Sequence, residues 1–125
     1  MLTWSKVYND DLSFYVEASD DNSTYFFSYH SIDRMFERNK NISSIADLER
    51  PIRRIIKCIN YWRTDNWIMK YAFGTRLIIH DVDIKMMYII KCNVTHYDII
   101  SIFNEYKQEY DNTQNTPELY ISLKK

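Results

Sequence analysis

The sequence predicts one α+β domain over residues 1–125: an antiparallel sheet of about five strands with two to three helices packed on it. Three observations carry that expectation. Leu12, Phe14 and Val16 alternate with Ser13, Tyr15 and Glu17, the period of a half-buried strand. Leu48, Ile52, Ile55, Ile56, Ile59 and Trp62 recur at helical spacing and draw one apolar stripe. A chain of 125 residues has room for one hydrophobic core and hardly for two.

The elements follow in order. Asp20 to Ser23 is turn chemistry, short side chains that bond their own backbone. Thr24 to Tyr29, β-branched and aromatic, reads as the second arm of a hairpin. Ser31 is placed to cap a short helix with Ile32, Met35 and Phe36 on one face, ending at Asn39 to Asn41. Asp47 suits the N-cap of the long apolar-striped helix, and that register puts Pro51 in the first turn, where its missing N–H breaks no bond. A start at Ser44 would place Pro51 inside the helix and bend it. Trp67, Met69, Tyr71 and Phe73 alternate as a strand from about Asn66, Gly74-Thr75 turns, and Arg76 to Ile79 returns. His80 to Asp83 turns again, and Ile84 to Cys92 reads as a central strand covered on both faces. Thr95 to Asp98 fits a capping box, so the next element is expected to be a helix showing Ile99, Ile102, Phe103, Tyr106 and Tyr110. Asp111 to Thr116 is a polar loop, and Leu119 to Leu123 an edge strand. Tyr25-Phe26-Phe27 and Tyr88-Ile89-Ile90, each followed by a helical reading, make a weak internal strand–helix repeat.

Composition bounds the function. The chain has one glycine, Gly74, where average usage of about 7% would give roughly nine. Phosphate cradles and dinucleotide turns need glycine so that backbone amides approach the ligand, so P-loop and Rossmann chemistry are excluded and no cofactor is expected. The longest apolar runs fall far short of the roughly 20 residues of a membrane span. The first residues lack a secretory signal, which makes the sequons at Asn22, Asn41 and Asn93 chance products and the expected location cytoplasmic. Cys58 and Cys92 are too few and too far apart for a disulfide framework and read as small buried hydrophobes. His80, Asp81 and Asp83 could form a metal or acid–base constellation, but a polar turn explains them as well and no metal-ligand spacing is present. No catalytic residue is identified, and the chain is not expected to be an enzyme.

Charge is unevenly placed. Residues 1–30 carry one lysine against five acids, residues 31–70 nine basic against five acidic groups. Two surfaces follow. The long helix bears Arg50, Arg53, Arg54, Lys57 and Arg63, with Tyr61 and Trp62 at its end, a composition that could hold single-stranded nucleic acid or present a solvated face. Asp10, Asp11, Tyr15, Glu17, Asp20 and Asp21 form an acidic edge able to meet a basic partner. Tyr8, Tyr15 and Tyr29 lie near it, and eleven tyrosines exceed what a core of this size can bury with satisfied hydroxyls.

Asn22-Ser23-Thr24-Tyr25-Phe26-Phe27-Ser28, followed by the helix through Phe36 and Lys40, resembles small phage-encoded accessory and regulatory proteins, among them the late-gene transcription regulators of small tailed Bacillus phages. The match covers about a seventh of the chain and transfers no DNA-contacting residue, because the first 30 residues here are acidic where those regulators carry a basic arm. The resemblance implies a viral or phage accessory protein, and the lack of a catalytic motif together with the aromatic excess points to one that binds a host macromolecule, as an inhibitor of a host defence, in the manner of an anti-CRISPR protein, or of a replication factor. The expected partner is a host protein; the alternative is a nucleic-acid-binding transcription regulator using the helix over 50–63. A homodimer is compatible with either.

Overall fold

A computed structural model describes residues 2–8, 14–21, 23–38, 44–64, 76–93, 96–104 and 116–123. Seven strands form one mixed sheet: β1 (Thr3–Tyr8), β2 (Phe14–Ser19), β3 (Thr24–Phe27), β4 (Arg76–Asp81), β5 (Met86–Cys92), β6 (His96–Asn104) and β7 (Glu118–Ile121). Their order across the sheet is β1-β2-β3-β6-β5-β4-β7. Two antiparallel meanders, β1-β2-β3 and β6-β5-β4, join through a parallel β3–β6 pair, and β7 adds parallel to β4. Two α-helices, α1 (Tyr29–Arg38) and α2 (Glu49–Thr64), and a 3-10 turn (Ile45–Leu48) complete the described elements. The expected five-stranded antiparallel sheet with two to three helices is therefore wrong in strand number and in strand direction.

The largest single correction is β6. The residues expected to be helical from Thr95 form a nine-residue strand over His96–Asn104. Its partner β5 pairs Ile89 with Ser101 but Ile90 with Ile99, which leaves Ile100 unpaired as a β-bulge. One extra residue puts Ile99 and Ile102 on the same face, and that three-residue spacing imitates a helix. The weak repeat fails with it, since Tyr88-Ile89-Ile90 leads into a strand.

Local chemistry explains the other boundaries. Ser28, not Ser31, caps α1: its Oγ accepts the Ser31 N–H at 3.1 Å. The same hydroxyl donates to the Ile100 carbonyl at 3.1 Å, tying the helix start to the bulge. Before α2, a 3-10 turn over Ile45–Leu48 is closed by the Asp47 carboxylate, which accepts from Ser44 N at 3.1 Å and Ser44 Oγ at 3.2 Å. Asp47 thus acts from inside that turn, and α2 starts at Glu49 with Pro51 in its first turn as expected. The turn between β4 and β5 falls at Val82–Lys85, two residues later than expected, with Lys85 at φ 55°. The strand expected from Asn66 to Phe73, Gly74, and Tyr106 to Asn115 lie outside the described residues.

Both helices lie on one face of the sheet. Ile32 and Met35 of α1, and Ile52, Ile55, Ile56 and Ile59 of α2, pack with Val16, Phe27, Leu77, Ile79, Ile90 and Ile99 in the main core. Tyr25 and Tyr88 are buried there too, and each has partners for its hydroxyl: Tyr25 Oη lies 3.2 Å from Asp20 Oδ2 and from Asn60 Oδ1, and Tyr88 donates to Asp81 Oδ2 at 2.7 Å. On the opposite face, Ile78, Met87 and Ile89 are buried with Ile100 and Phe103 against them.

Candidate interaction site

The basic helix divides into two sides. Arg50, Arg53, Lys57 and Tyr61 share the outer side of α2 and are exposed. Arg53 is shared with Glu49, 3.3 Å away, an exposed pair four residues apart. Arg54 does not belong to that surface. It turns onto the sheet, where Nε and Nη2 grip the fully buried Asp81 carboxylate at 2.8 and 2.6 Å, and Nη2 reaches Asp83 at 3.2 Å. The bond to Asp81 raises the Arg54 guanidinium above its ordinary value. Burial, then the neighbouring Asp81 charge, raises the Cys58 thiol and the Tyr88 phenol above theirs. A thiol held protonated is a poor nucleophile, so Cys58 is packing. The side chains of Trp62 and Arg63 lie outside the described residues.

The structure separates His80 from Asp81 and Asp83. His80 and Asp81 are consecutive in β4, so their side chains leave on opposite faces. Asp81 meets α2, whereas His80 Nε2 lies 2.8 Å from Glu118 Oε1 and its ring stacks on Tyr120 at 4.2 Å and 5°. Asp83 accepts from Ser122 Oγ at 2.7 Å and Leu123 N at 2.9 Å, which anchors the end of β7 to the β4–β5 turn. Among the described residues no group of three His, Cys, Asp or Glu is placed to hold a metal ion. The expectation that these residues form a plain connecting turn also fails, because two of them are strand residues that fasten α2 and β7.

The acidic edge is likewise not one surface. Asp10 and Asp11 lie outside the described residues. Asp20 serves the fold: it accepts from Ser23 N at 2.9 Å and from Asn60 Nδ2 at 3.1 Å, linking the β2–β3 turn to α2. Asp21 is exposed beside it. Tyr15 and Glu17 alternate with the core residues Val16 and Ala18, so they leave on the face without helices. There Phe26 meets Tyr15 edge-on at 5.8 Å and His96 at 4.7 Å, and pairs laterally with Glu17 and Asp98.

The structure instead gathers an aromatic group around β1. Phe14 lies edge-on to Tyr8 at 6.0 Å and to Tyr29 at 5.6 Å, and Lys6 Nζ sits 4.8 Å from the Tyr8 and Phe14 ring centres. Tyr8 is 60% exposed and Tyr29 50%. Tyr8 and Tyr29 are far apart in sequence; the β1–β2 pairing brings Tyr8 opposite Phe14, and the Ser28 cap sets Tyr29 at the first position of α1. The sequence signal was the surplus of tyrosine, but β1 itself was not predicted, so Lys6 was not placed beside Tyr8. No protein-family model, curated protein or solved structure matches the chain.

Proposed function

We propose that this chain is a binding protein, a small accessory factor of the viral or phage kind, that docks a host protein through Tyr8, Phe14, Tyr29 and Lys6. The carrying observation is the meeting of three rings at Phe14, with Tyr8 and Tyr29 half or more exposed and Lys6 over Tyr8 and Phe14. Tyrosine rings are among the anchors that dominate interface energetics, since they give contact area at little entropic cost. The nucleic-acid reading is weakened by the loss of Arg54 to the core and by the Arg53–Glu49 pair.

Pull-down from candidate host lysates, with and without nuclease, separates the two readings. The expected result is a stoichiometric protein partner that survives nuclease, is lost with Tyr8→Ala/Tyr29→Ala, and is kept with Arg50→Glu/Lys57→Glu. A partner lost with nuclease or with the charge reversals, or indifferent to the tyrosines, overturns the proposal.

A further inference from the structure

The two edges of the sheet are built differently. β7 is four residues long, and the chain just beyond it is bonded to Asp83 through Ser122 and Leu123. β1 has six residues, pairs with β2 without a break from Thr3↔Ser19 to Tyr8↔Phe14, and has no described strand on its other side. An open edge is a template for another strand, and proteins that keep such an edge single usually place a charge, a proline or a bulge on it. β1 has no proline and no break in its register. Its one charge, Lys6, lies over the Tyr8 ring of β1 itself and the Phe14 ring of β2.

We infer that two copies of this chain pair through β1, antiparallel and centred on Ser5, to make one continuous sheet. Paired residues of an antiparallel ladder share a face, so a twofold axis normal to the sheet must pass through a residue position. An axis at Lys6 sets two like charges directly opposite each other. An axis at Trp4 sets Lys6 opposite the partner's Leu2, which offers the cation no ring. An axis at Ser5 sets Lys6 opposite the partner's Trp4 and Thr3 opposite the partner's Val7, a cation facing an aromatic ring on one face and a β-branched pair on the other. The twofold contact closes on itself, whereas joining β1 to β7 of another copy would run on as an open filament. The inference rests on the β1 edge and not on the docking reading, but the pairing would engage Lys6 and Tyr8 of that aromatic group, and the dimer would carry both groups on its helix-bearing side.

Sedimentation of the full chain over a concentration series tests it. The expected result is a reversible monomer–dimer equilibrium, weak because one strand pair buries less than the roughly 1,200 Å² of stable interfaces. Ser5→Pro should weaken the dimer by about tenfold or more, since a proline both removes a donor and blocks close strand approach. A second variant does not depend on that one folding well. Across either kind of antiparallel pair the Ser5 Cα atoms are about 4.5–5.5 Å apart, within reach of a disulfide. Ser5→Cys should therefore form a covalent dimer on mild oxidation while Thr3→Cys does not, and the native Cys58 and Cys92 are buried and contribute no background. A chain that stays monomeric at millimolar concentration, or equal cross-linking of Ser5→Cys and Thr3→Cys, overturns the inference.

Discussion

The two meanders of this sheet have the same number of strands and opposite characters. In β4 every residue after Arg76 is buried, and in β5 only Met86 and Lys91 are not. In β2 and β3 buried residues alternate with half-exposed ones, and β1 has no fully buried residue. One half is thus closed on both faces along β4 and β5, though β6 alternates, and it carries the ion cluster of Arg54, Asp81 and Asp83. The other is closed only beneath the helices and turns Glu17 and Phe26 outward. Stability is concentrated in the first half and accessible surface in the second, and substitutions should sort accordingly.

The largest effect is expected at Asp81. Removing the carboxylate that takes both guanidinium bonds leaves Arg54 with Asp83 alone, and breaking so buried a pair costs about 3 kcal/mol. Asp81→Ala also strands the Tyr88 hydroxyl. Urea unfolding should show that loss in full, and the double variant Arg54→Met/Asp81→Leu should recover the part due to the ion pair but not the part due to Tyr88, whose hydroxyl it also strands. A cost below about 1 kcal/mol for Asp81→Ala would mean that the closed half is not pinned by this cluster.

Next come matched truncations on the helix-free face. Ile89→Ala opens a cavity in the closed half and should cost about 2–4 kcal/mol. Phe26→Ala removes a larger side chain, but one already half-exposed, and should cost less than Ile89→Ala in the same urea experiment. Equal losses would erase the distinction between the halves.

The sequence reveals these halves unevenly, for physical reasons. Alternation in Phe14 to Ala18 and the stripe from Leu48 to Ile59 lie within single elements, so β2 and α2 are legible from local spacing. The bulge at Ile100 is created by the partner strand, and without knowing the pairing its three-residue spacing reads as helix. β1 carries Lys6 on the same side as Trp4, which hides its alternation. The Arg54–Asp81 pair spans 27 residues, and the available signals were indirect: an arginine beside the buried stripe, and an acid at the end of the apolar run Leu77-Ile78-Ile79. No composition shows which tyrosines meet in space.

Alkaline pH should act on the same closed core with a smaller effect. Burial pushes the Cys92 thiol up to about 11 from its ordinary 9.0. The folded chain therefore holds a proton that the unfolded chain releases first, and stability falls as pH rises from 9.0 to about 11. At one pH unit per 1.36 kcal/mol, this thiol alone removes roughly 2 kcal/mol by the top of that window. Cys58 and Tyr88 are raised as well and steepen the loss in the same direction. Cys92→Ala should be less stable near neutrality yet lose less between the two pH values. An unchanged slope would show that Cys92 is not protected in the fold.

The smallest effect separates two adjacent arginines. Arg53 and Arg54 carry the same charge on the same helix, but Arg53 faces water and pairs with an exposed Glu49. Its ion pair gains little in high dielectric and costs side-chain entropy, so Arg53→Ala should change stability by less than about 0.5 kcal/mol. Salt should shrink even that, because an exposed pair is screened by ions. Arg54→Ala breaks the buried contact and should resist salt screening while costing several times more. Paired urea melts at low and high ionic strength measure both quantities. Similar losses, or similar salt sensitivity, at the two positions would show that Arg54 is as solvated as its neighbour and that the ion cluster does not hold α2 to the closed half.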